Sequence, residues 1–393
     1  MQSPYASPEQ LTKRSSRKLL VVGHFVRAGR VGGAEHMLYN LLQGFQQKDV
    51  DVGLLCSRKT DLSELFISKI RPGGRLRLLE LGGAGSRFVA EQRACLHHDL
   101  SSDAILFPNY YLPVVIPSRL GRVATVIHDF QYRHFPQYFS AKKRVWLRAA
   151  QTLSLHKADR VIVISEFVRR DAIRWFGDRI AEKVVVVPNP VSWDRFVAGE
   201  QQPRPIVAPY VLAVAAHYPH KNLETLIRAF SKIIWLHPDM YLVLVGQSYN
   251  ELHGVASLSG SIGPLIEQLN LTNRVRLTGY VNDLSLAQWY RHAELFAFPS
   301  LFEGFGMPAV EALGFGLPTL TTRLTALPET TLGLATMVDD ALDDGEWAER
   351  MLGMLKQPAK YRPSAPDVAR IRDLYAPERI ASMYLATLFD KHV

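Results

Sequence analysis

The sequence predicts an α/β protein of two doubly wound, parallel-sheet domains that face each other across a cleft. Three observations predict it. Short continuous apolar runs recur along the chain and read as strands buried on both faces. Helix-length amphipathic stretches separate many of them, as crossovers between parallel strands require. The whole pattern then restarts near Tyr210, after a stretch rich in Pro, Gln and Gly at residues 196–209 that reads as a hinge. With 393 residues, 47% of them hydrophobic, the chain is too long for one ordinary core and long enough for two.

In order, Lys18-Leu-Leu-Val-Val-Gly23 is a buried-strand run ending in glycine, followed by the loop Arg27-Ala-Gly-Arg-Val-Gly-Gly-Ala34 and a helical pattern from Glu35. Further strand runs fall at residues 52–56, 104–107, 123–127, 161–164 and 184–187. In the second half strands are predicted at 210–215, 241–245, 275–278, 295–298 and 319–322. Helices are predicted there at 223–236, 262–269, 284–292 and 307–314. The domains are therefore placed at 1–200, with residues 1–17 flexible, and at 206–376, with the helix at 377–393 returning to the first. Two such domains put a ligand cleft at the carboxyl ends of both sets of strands.

Composition narrows the partners. Residues 1–205 carry 31 Lys+Arg against 18 Asp+Glu, a net +13, whereas residues 206–393 carry 15 against 19, a net −4. A cationic half suits an anionic partner, such as a phospholipid surface or a phosphorylated substrate. No nucleic acid is expected, since no zinc-finger, RNA-recognition or helix-turn-helix signature occurs. Cys56 and Cys95 cannot form a disulfide framework, and the polar start of the chain lacks the apolar core of a secretion signal, so a cytoplasmic location is expected.

The densest chemistry lies in Phe298-Pro-Ser-Leu-Phe-Glu303-Gly-Phe-Gly-Met-Pro-Ala-Val-Glu311. A strand ends at Phe298, a glycine-containing loop carries Glu303, and a helix opens near Pro308. The free amides of a helix start suit a diphosphate or sugar hydroxyls. Glu303 on the loop and Glu311 a turn into the helix can both point into one cleft. A solvated loop carboxylate and a dipole-favoured helix carboxylate are the plainer alternative.

This segment resembles the Glu-x7-Glu motif of glycosyltransferase family 4, whose members have the GT-B fold of two Rossmann-like domains. The resemblance implies that Glu303 is catalytic, contacting the donor sugar, and that Glu311 meets the nucleotide ribose. It also implies donor contacts from Phe305, Gly306 and Met307, largely through backbone. Ala213-Val-Ala-Ala-His-Tyr-Pro-His-Lys221-Asn222 resembles the family's phosphate-binding turn, which makes Lys221 a diphosphate ligand. His220 stands where the family has arginine, so it is a donor-binding candidate whose charge depends on pH. Tyr280 and Val281 lie in a loop similar to the one that packs on the nucleobase. Gly333-Leu-Ala departs from the family's Gly-Asp-Ala. In the first half Gly32, Gly33 and Glu35 match a glycine-rich loop, with Gly33 beneath the donor phosphates and Gly32 and Glu35 on the acceptor side. Thr125-Val-Ile-His128-Asp129 resembles the segment that supplies a catalytic histidine, His128. Ser165-Glu166-Phe and Val187-Pro-Asn-Pro190 fit as well, so the resemblance spans residues 18–335.

The implied chemistry is transfer of a hexose, with retention, from a nucleotide diphosphate sugar to a glycan or polyprenyl-diphosphate-linked acceptor in polysaccharide biosynthesis. GDP-mannose is the favoured donor. The donor is a co-substrate, and no obligatory cofactor or metal is expected. Asp49-Val-Asp51 is a nominal Asp-x-Asp, but it sits at the start of an early strand, outside the cleft. Rival readings are a sugar-nucleotide epimerase or phosphorylase of this shape, or a non-catalytic nucleotide-sugar-binding module. Finally, Ala141-Lys-Lys-Arg-Val-Trp-Leu-Arg148 sets Lys142, Lys143, Arg144 and Arg148 among Val145, Trp146 and Leu147. Either the apolar three belong to the core, or the segment lies on an anionic membrane at the inner face, with Trp146 at the headgroup boundary.

Overall fold

A computed structural model of the chain describes residues 16–26, 32–56, 75–81, 86–194, 196, 203–247 and 262–390. Its first sheet comprises β1 (Arg17–Val22), β2 (Val50–Cys56), β3 (Leu76–Glu80), β4 (Ala104–Phe107), β5 (Arg122–Ile127), β6 (Arg160–Val163) and β7 (Val184–Val186). These pair in the order 3-2-1-4-5-6-7, all parallel. The second sheet comprises β8 (Tyr210–Val214), β9 (Tyr241–Val245), β10 (Val275–Gly279), β11 (Leu295–Phe298), β12 (Thr319–Thr322) and β13 (Thr336–Val338). Their order is 10-9-8-11-12-13, again parallel. Each sheet therefore reverses its strand order once, between β1 and β4 and between β8 and β11. Ligands of doubly wound sheets bind beyond the carboxyl ends of the strands at that reversal.

The central strands are buried along their whole apolar length, Ala104–Phe107 at 0–2% exposure and Leu295–Phe298 at 0–1%, because helices cover both faces. Truncating one of the Ile, Leu or Phe side chains in these strands to alanine costs about 2–5 kcal/mol. Two strands were not predicted. β3 is a half-exposed edge strand interrupted by Arg77, and β13 has only three residues, so neither presents a continuous apolar run.

The principal helices of the first half are α1 (Gly33–Phe45), α2 (Arg87–Leu96), α3 (Ala141–Lys157) and α4 (Glu166–Phe176). Those of the second are α5 (Leu223–Ile233), α6 (Ile262–Gln268), α7 (Asp283–His292), α8 (Met307–Gly314), α9 (Asp344–Lys356), α10 (Ala365–Leu374) and α11 (Pro377–Phe389). Sequence explains their limits. Ser165 Oγ accepts from Val168 N at 3.2 Å to start α4, and Gly177 at φ +83° ends it. In α5, Leu223, Leu226, Ile227, Phe230 and Ile233 recur at helical spacing and are all buried. Helix α11 crosses back to the first domain, where the Tyr384 ring meets Phe45 edge-on at 6.4 Å and Arg122 donates to the Asp390 carbonyl at 2.8 Å. The approach to α1 is close enough that a Cβ on Gly44 would lie 2.1 Å from the Pro377 carbonyl oxygen.

Candidate active site

At the β8/β11 reversal two loops are tied together. Asn222, at φ +54°, donates from Nδ2 to the Pro299 carbonyl at 3.3 Å and to the Ala341 carbonyl at 2.9 Å. Thr225 Oγ1 in turn donates to Asn222 Oδ1 at 2.7 Å. This fixes the turn Pro219–Lys221 against the loop that follows β11. The Lys221 ammonium consequently reaches Glu303, Nζ to Oε1 2.5 Å, and lies 5.5 Å from the centroid of the Phe298 ring. Both partners are largely buried, with side chains 17% and 12% exposed, so the pair is only weakly screened. Glu303 is held from behind, its backbone N–H donating to Thr325 Oγ1 at 3.0 Å.

Gly306 stands at φ +82° just before α8, and a Cβ there would meet Leu327 Cδ2 at 2.5 Å. Met307 opens the helix, half-buried. Phe305 is 3% exposed and packs edge-on against Tyr375 at 5.2 Å, so its backbone alone can face a ligand. Glu311 does not stand open beside Glu303. It is 3% exposed, and Oε2 accepts from the Tyr290 hydroxyl at 2.9 Å. No pattern in the sequence links Tyr290 to Glu311.

His220 is not a second cation. Burial, reinforced by the neighbouring Lys221 charge, lowers its pKa to about 3, so the ring is neutral at physiological pH and stacks on Tyr218 at 5.7 Å. Tyr280, 52% exposed, and half-buried Val281 follow β10. There Gly246 N donates to the Gly279 carbonyl at 3.0 Å and brings the ends of β9 and β10 together.

The first domain presents His128 and Asp129 at the carboxyl end of β5. His128 Nε2 lies 3.0 Å from the Pro108 carbonyl oxygen, which can only accept, so Nε2 carries the proton. Burial lowers the pKa of His128, and the contact with Pro108 partly offsets this. Burial raises that of Asp129, offset by the Gln131 N–H that donates to Oδ1 at 2.9 Å; Asp129 also feels the charges of Glu303 and Lys221. Gly32 and Gly33 begin α1, Gly32 N donating to Glu35 Oε2 at 3.1 Å, while a Cβ on Gly33 would meet nothing within 4 Å. Residues 27–31 of the same glycine-rich loop lie outside the described residues.

Three contacts hold the halves of the site together. A Cβ on Gly304 would lie 2.0 Å from the His128 carbonyl oxygen. Phe302 packs among His134, Phe135 and Phe167, with ring centroids 4.9, 5.9 and 5.7 Å away. Glu329 of the second domain accepts from Glu166 N at 2.7 Å and Phe167 N at 3.2 Å, at the positive end of α4. Burial raises the pKa of Glu329, and those two amides oppose it. In the sequence Phe302 has no signal beyond adjacency to Glu303.

The other candidates lie elsewhere. Asp51 accepts from Ser16 and Asp49 pairs with Arg75, both where β2 begins, at the end of the sheet opposite the cleft. On α3, Lys142, Lys143, Arg144 and Arg148 are exposed, as is Val145 at 70%, while Leu147 is buried at 6%. The Trp146 ring packs on Phe88 at 5.1 Å and Tyr110 at 6.0 Å and is 36% exposed.

Fold and site define a two-domain α/β protein with facing carboxyl-end clefts, one lined by a Lys–Glu pair and the other by a His–Asp pair. Residues 31–195 match the family described as Glycosyltransferase Family 4, and residues 208–357 match Glycosyl transferases group 1. The chain belongs to this family of GT-B glycosyltransferases. It is 28% identical over 243 residues to O-antigen chain mannosyltransferase B of Escherichia coli, a match covering 60% of this chain and 61% of that relative. The solved sucrose-phosphate synthase of Thermosynechococcus elongatus superposes with a TM-score of 0.71 at 21% identity, covering 94% of this chain and 97% of that one. Anabaena HepE in complex with UDP-glucose gives 0.69 at 18% identity, covering 95% and 99%. No helix among the described residues is long and apolar enough to cross a membrane.

Proposed function

We propose that the chain transfers a hexose, with retention, from a nucleotide diphosphate sugar to a glycan or lipid-linked acceptor in polysaccharide synthesis. The observation that carries this reading is the Lys221–Glu303 pair at one strand-order reversal, pressed through Gly304 against His128 of the other domain. A diphosphate entering the cleft competes with the Glu303 carboxylate for Lys221. The carboxylate so displaced becomes an acceptor for hydroxyls of the sugar, while Lys221 and the first amides of α8 stabilise the leaving diphosphate. That diphosphate takes the acceptor's proton on the same face of the sugar, so no protein nucleophile is needed. Neutral His128 orients the sugar, and the remainder of the acceleration is positioning.

GDP-mannose is the preferred donor candidate, supported by the mannosyltransferase relative. The exposed cations of α3, with Val145, support reversible attachment to an anionic leaflet, each basic residue contributing about 1 kcal/mol near such a surface. Thermal unfolding with UDP, GDP and dTDP tests the donor reading. One nucleotide at 100 times its dissociation constant should stabilise by about 2.7 kcal/mol, and no shift with any of the three would overturn it.

A further inference from the structure

The strand-order reversal of the second sheet carries Lys221 and Glu303. The equivalent reversal of the first sheet, between β1 and β4, carries an aromatic cluster that the donor reading leaves unused. Phe25 follows β1, Tyr110 and Tyr111 follow β4, Phe88 opens α2, and Trp146 comes from the second turn of α3. Ring centroids lie 4.6 Å apart for Phe88 and Tyr111, 5.1 Å for Phe88 and Trp146, and 6.0 Å for Tyr110 and Trp146. None of these four rings is fully buried: Phe107 and Phe130 nearby are at most 2% exposed, whereas Phe88, Tyr110 and Tyr111 are partly buried, Tyr110 resting against the core, and Trp146 is 36% exposed.

The cluster is rigidly mounted and connected to the candidate catalytic histidine. Pro108, whose carbonyl accepts from His128, is two residues from Tyr110. Thr125 of β5 donates to the Asn109 carbonyl at 3.0 Å, and Ser154 of α3 donates to the Tyr110 carbonyl at 2.6 Å. The Arg87 cation against these rings is paired. Arg87, whose guanidinium carbon lies 5.7 Å from the centroids of both the Phe25 and Phe88 rings, pairs with nearly buried Glu91 at 2.7 Å.

Aromatic faces without net charge suit the C–H face of a sugar ring and offer little to a phosphate, because ring faces are electron-rich. We propose that Phe88, Tyr110, Tyr111 and Trp146 form the acceptor subsite, an aromatic platform for an uncharged pyranose ring, with its Tyr110 end toward His128. The assignment rests on the transferase reading and identifies the class of acceptor unit that meets the first domain.

The test uses the full chain, saturated with whichever nucleotide binds, and the methyl glycosides of mannose, glucose, galactose, rhamnose and N-acetylglucosamine. Saturation-transfer NMR should show at least one glycoside bound, with transfer strongest at protons on one ring face. Tyr111→Ala and Trp146→Ala should each weaken that glycoside about fivefold or more, as for buried aromatic contacts elsewhere. Trp146→Phe should retain most of the binding, and nucleotide affinity should remain at the wild-type value in every variant, which also reports correct folding. The proposal is overturned if no glycoside binds, or if binding survives both alanine variants. It is equally overturned if the variants lose anionic-vesicle binding but keep glycoside affinity, which would make the cluster part of a lipid surface. Failure of every nucleotide to bind would instead count against the donor reading, and the glycoside measurement would stand on its own.

Discussion

Gly304 gives the sharpest handle on the cleft. Its backbone is not in the left-handed region, so alanine would fit its conformation; what alanine meets is the His128 carbonyl oxygen at 2.0 Å and Ile164 Cδ1 at 3.3 Å. An ordinary carbon contact needs about 3.5 Å, so loop and strand must separate by roughly 1 Å or more. Overpacking in place would cost about 1–3 kcal/mol. Because the clash lies between domains, opening the cleft relieves it more cheaply than disturbing either core. A displacement of about 1 Å at reacting groups can cost 10²-fold, equivalent to about 2.7 kcal/mol of barrier. Gly304→Ala should therefore lower kcat about 10- to 100-fold, leave nucleotide affinity and the thermal midpoint close to wild type, and enlarge the radius of gyration in X-ray scattering. Wild-type turnover would refute the reasoning. So would a large fall in the thermal midpoint, which would place the clash inside a core.

Three further outcomes follow from the same geometry. Glu303→Ala should cut turnover strongly while nucleotide binding by calorimetry stays near wild type or tightens, because Lys221 loses its competitor; Glu311→Ala should weaken nucleotide binding by roughly 1–3 kcal/mol, and normal behaviour of both would refute the motif's assignment. His220, depressed to about 3, is neutral in the folded chain, so its stabilising contribution is complete above pH 6.5 and is lost as pH falls from there toward 3. Chemical denaturation across that window should show a shallower decline for His220→Gln than for the wild-type chain, and parallel curves would refute the shift. At low salt the chain should sediment with anionic vesicles and release as ionic strength rises, and charge reversal of Lys142, Lys143 and Arg144 should weaken this; equal recovery with neutral vesicles would favour a freely diffusing acceptor.

The fold was legible because it is written in local patterns. Apolar runs such as residues 241–245, 295–298 and 319–322 coincide with β9, β11 and β12, since strands buried on both faces admit little else. Edge and very short strands escaped for the converse reason, as β3 and β13 show. The site was legible where one segment carries both chemistry and turn geometry, as around Glu303 and Lys221. It was not legible where side chains from distant segments meet. Tyr290 is 21 residues from Glu311, Glu329 lies 163 residues from the amide of Glu166, and Trp146 turned onto rings of two other segments. Nor could spacing reveal that His220 is buried enough to stay neutral, because desolvation belongs to the assembled domain.

The most direct test of the two-domain site is release of nucleoside diphosphate, followed by phosphorus NMR, from GDP-, UDP- and dTDP-linked hexoses in excess EDTA. One donor should be consumed by the wild-type chain in an acceptor-stimulated reaction. Lys221→Ala and His128→Ala, one from each domain, should both abolish that reaction. Consumption that survives either substitution, or that requires added Mg²⁺ or Mn²⁺, would contradict the account.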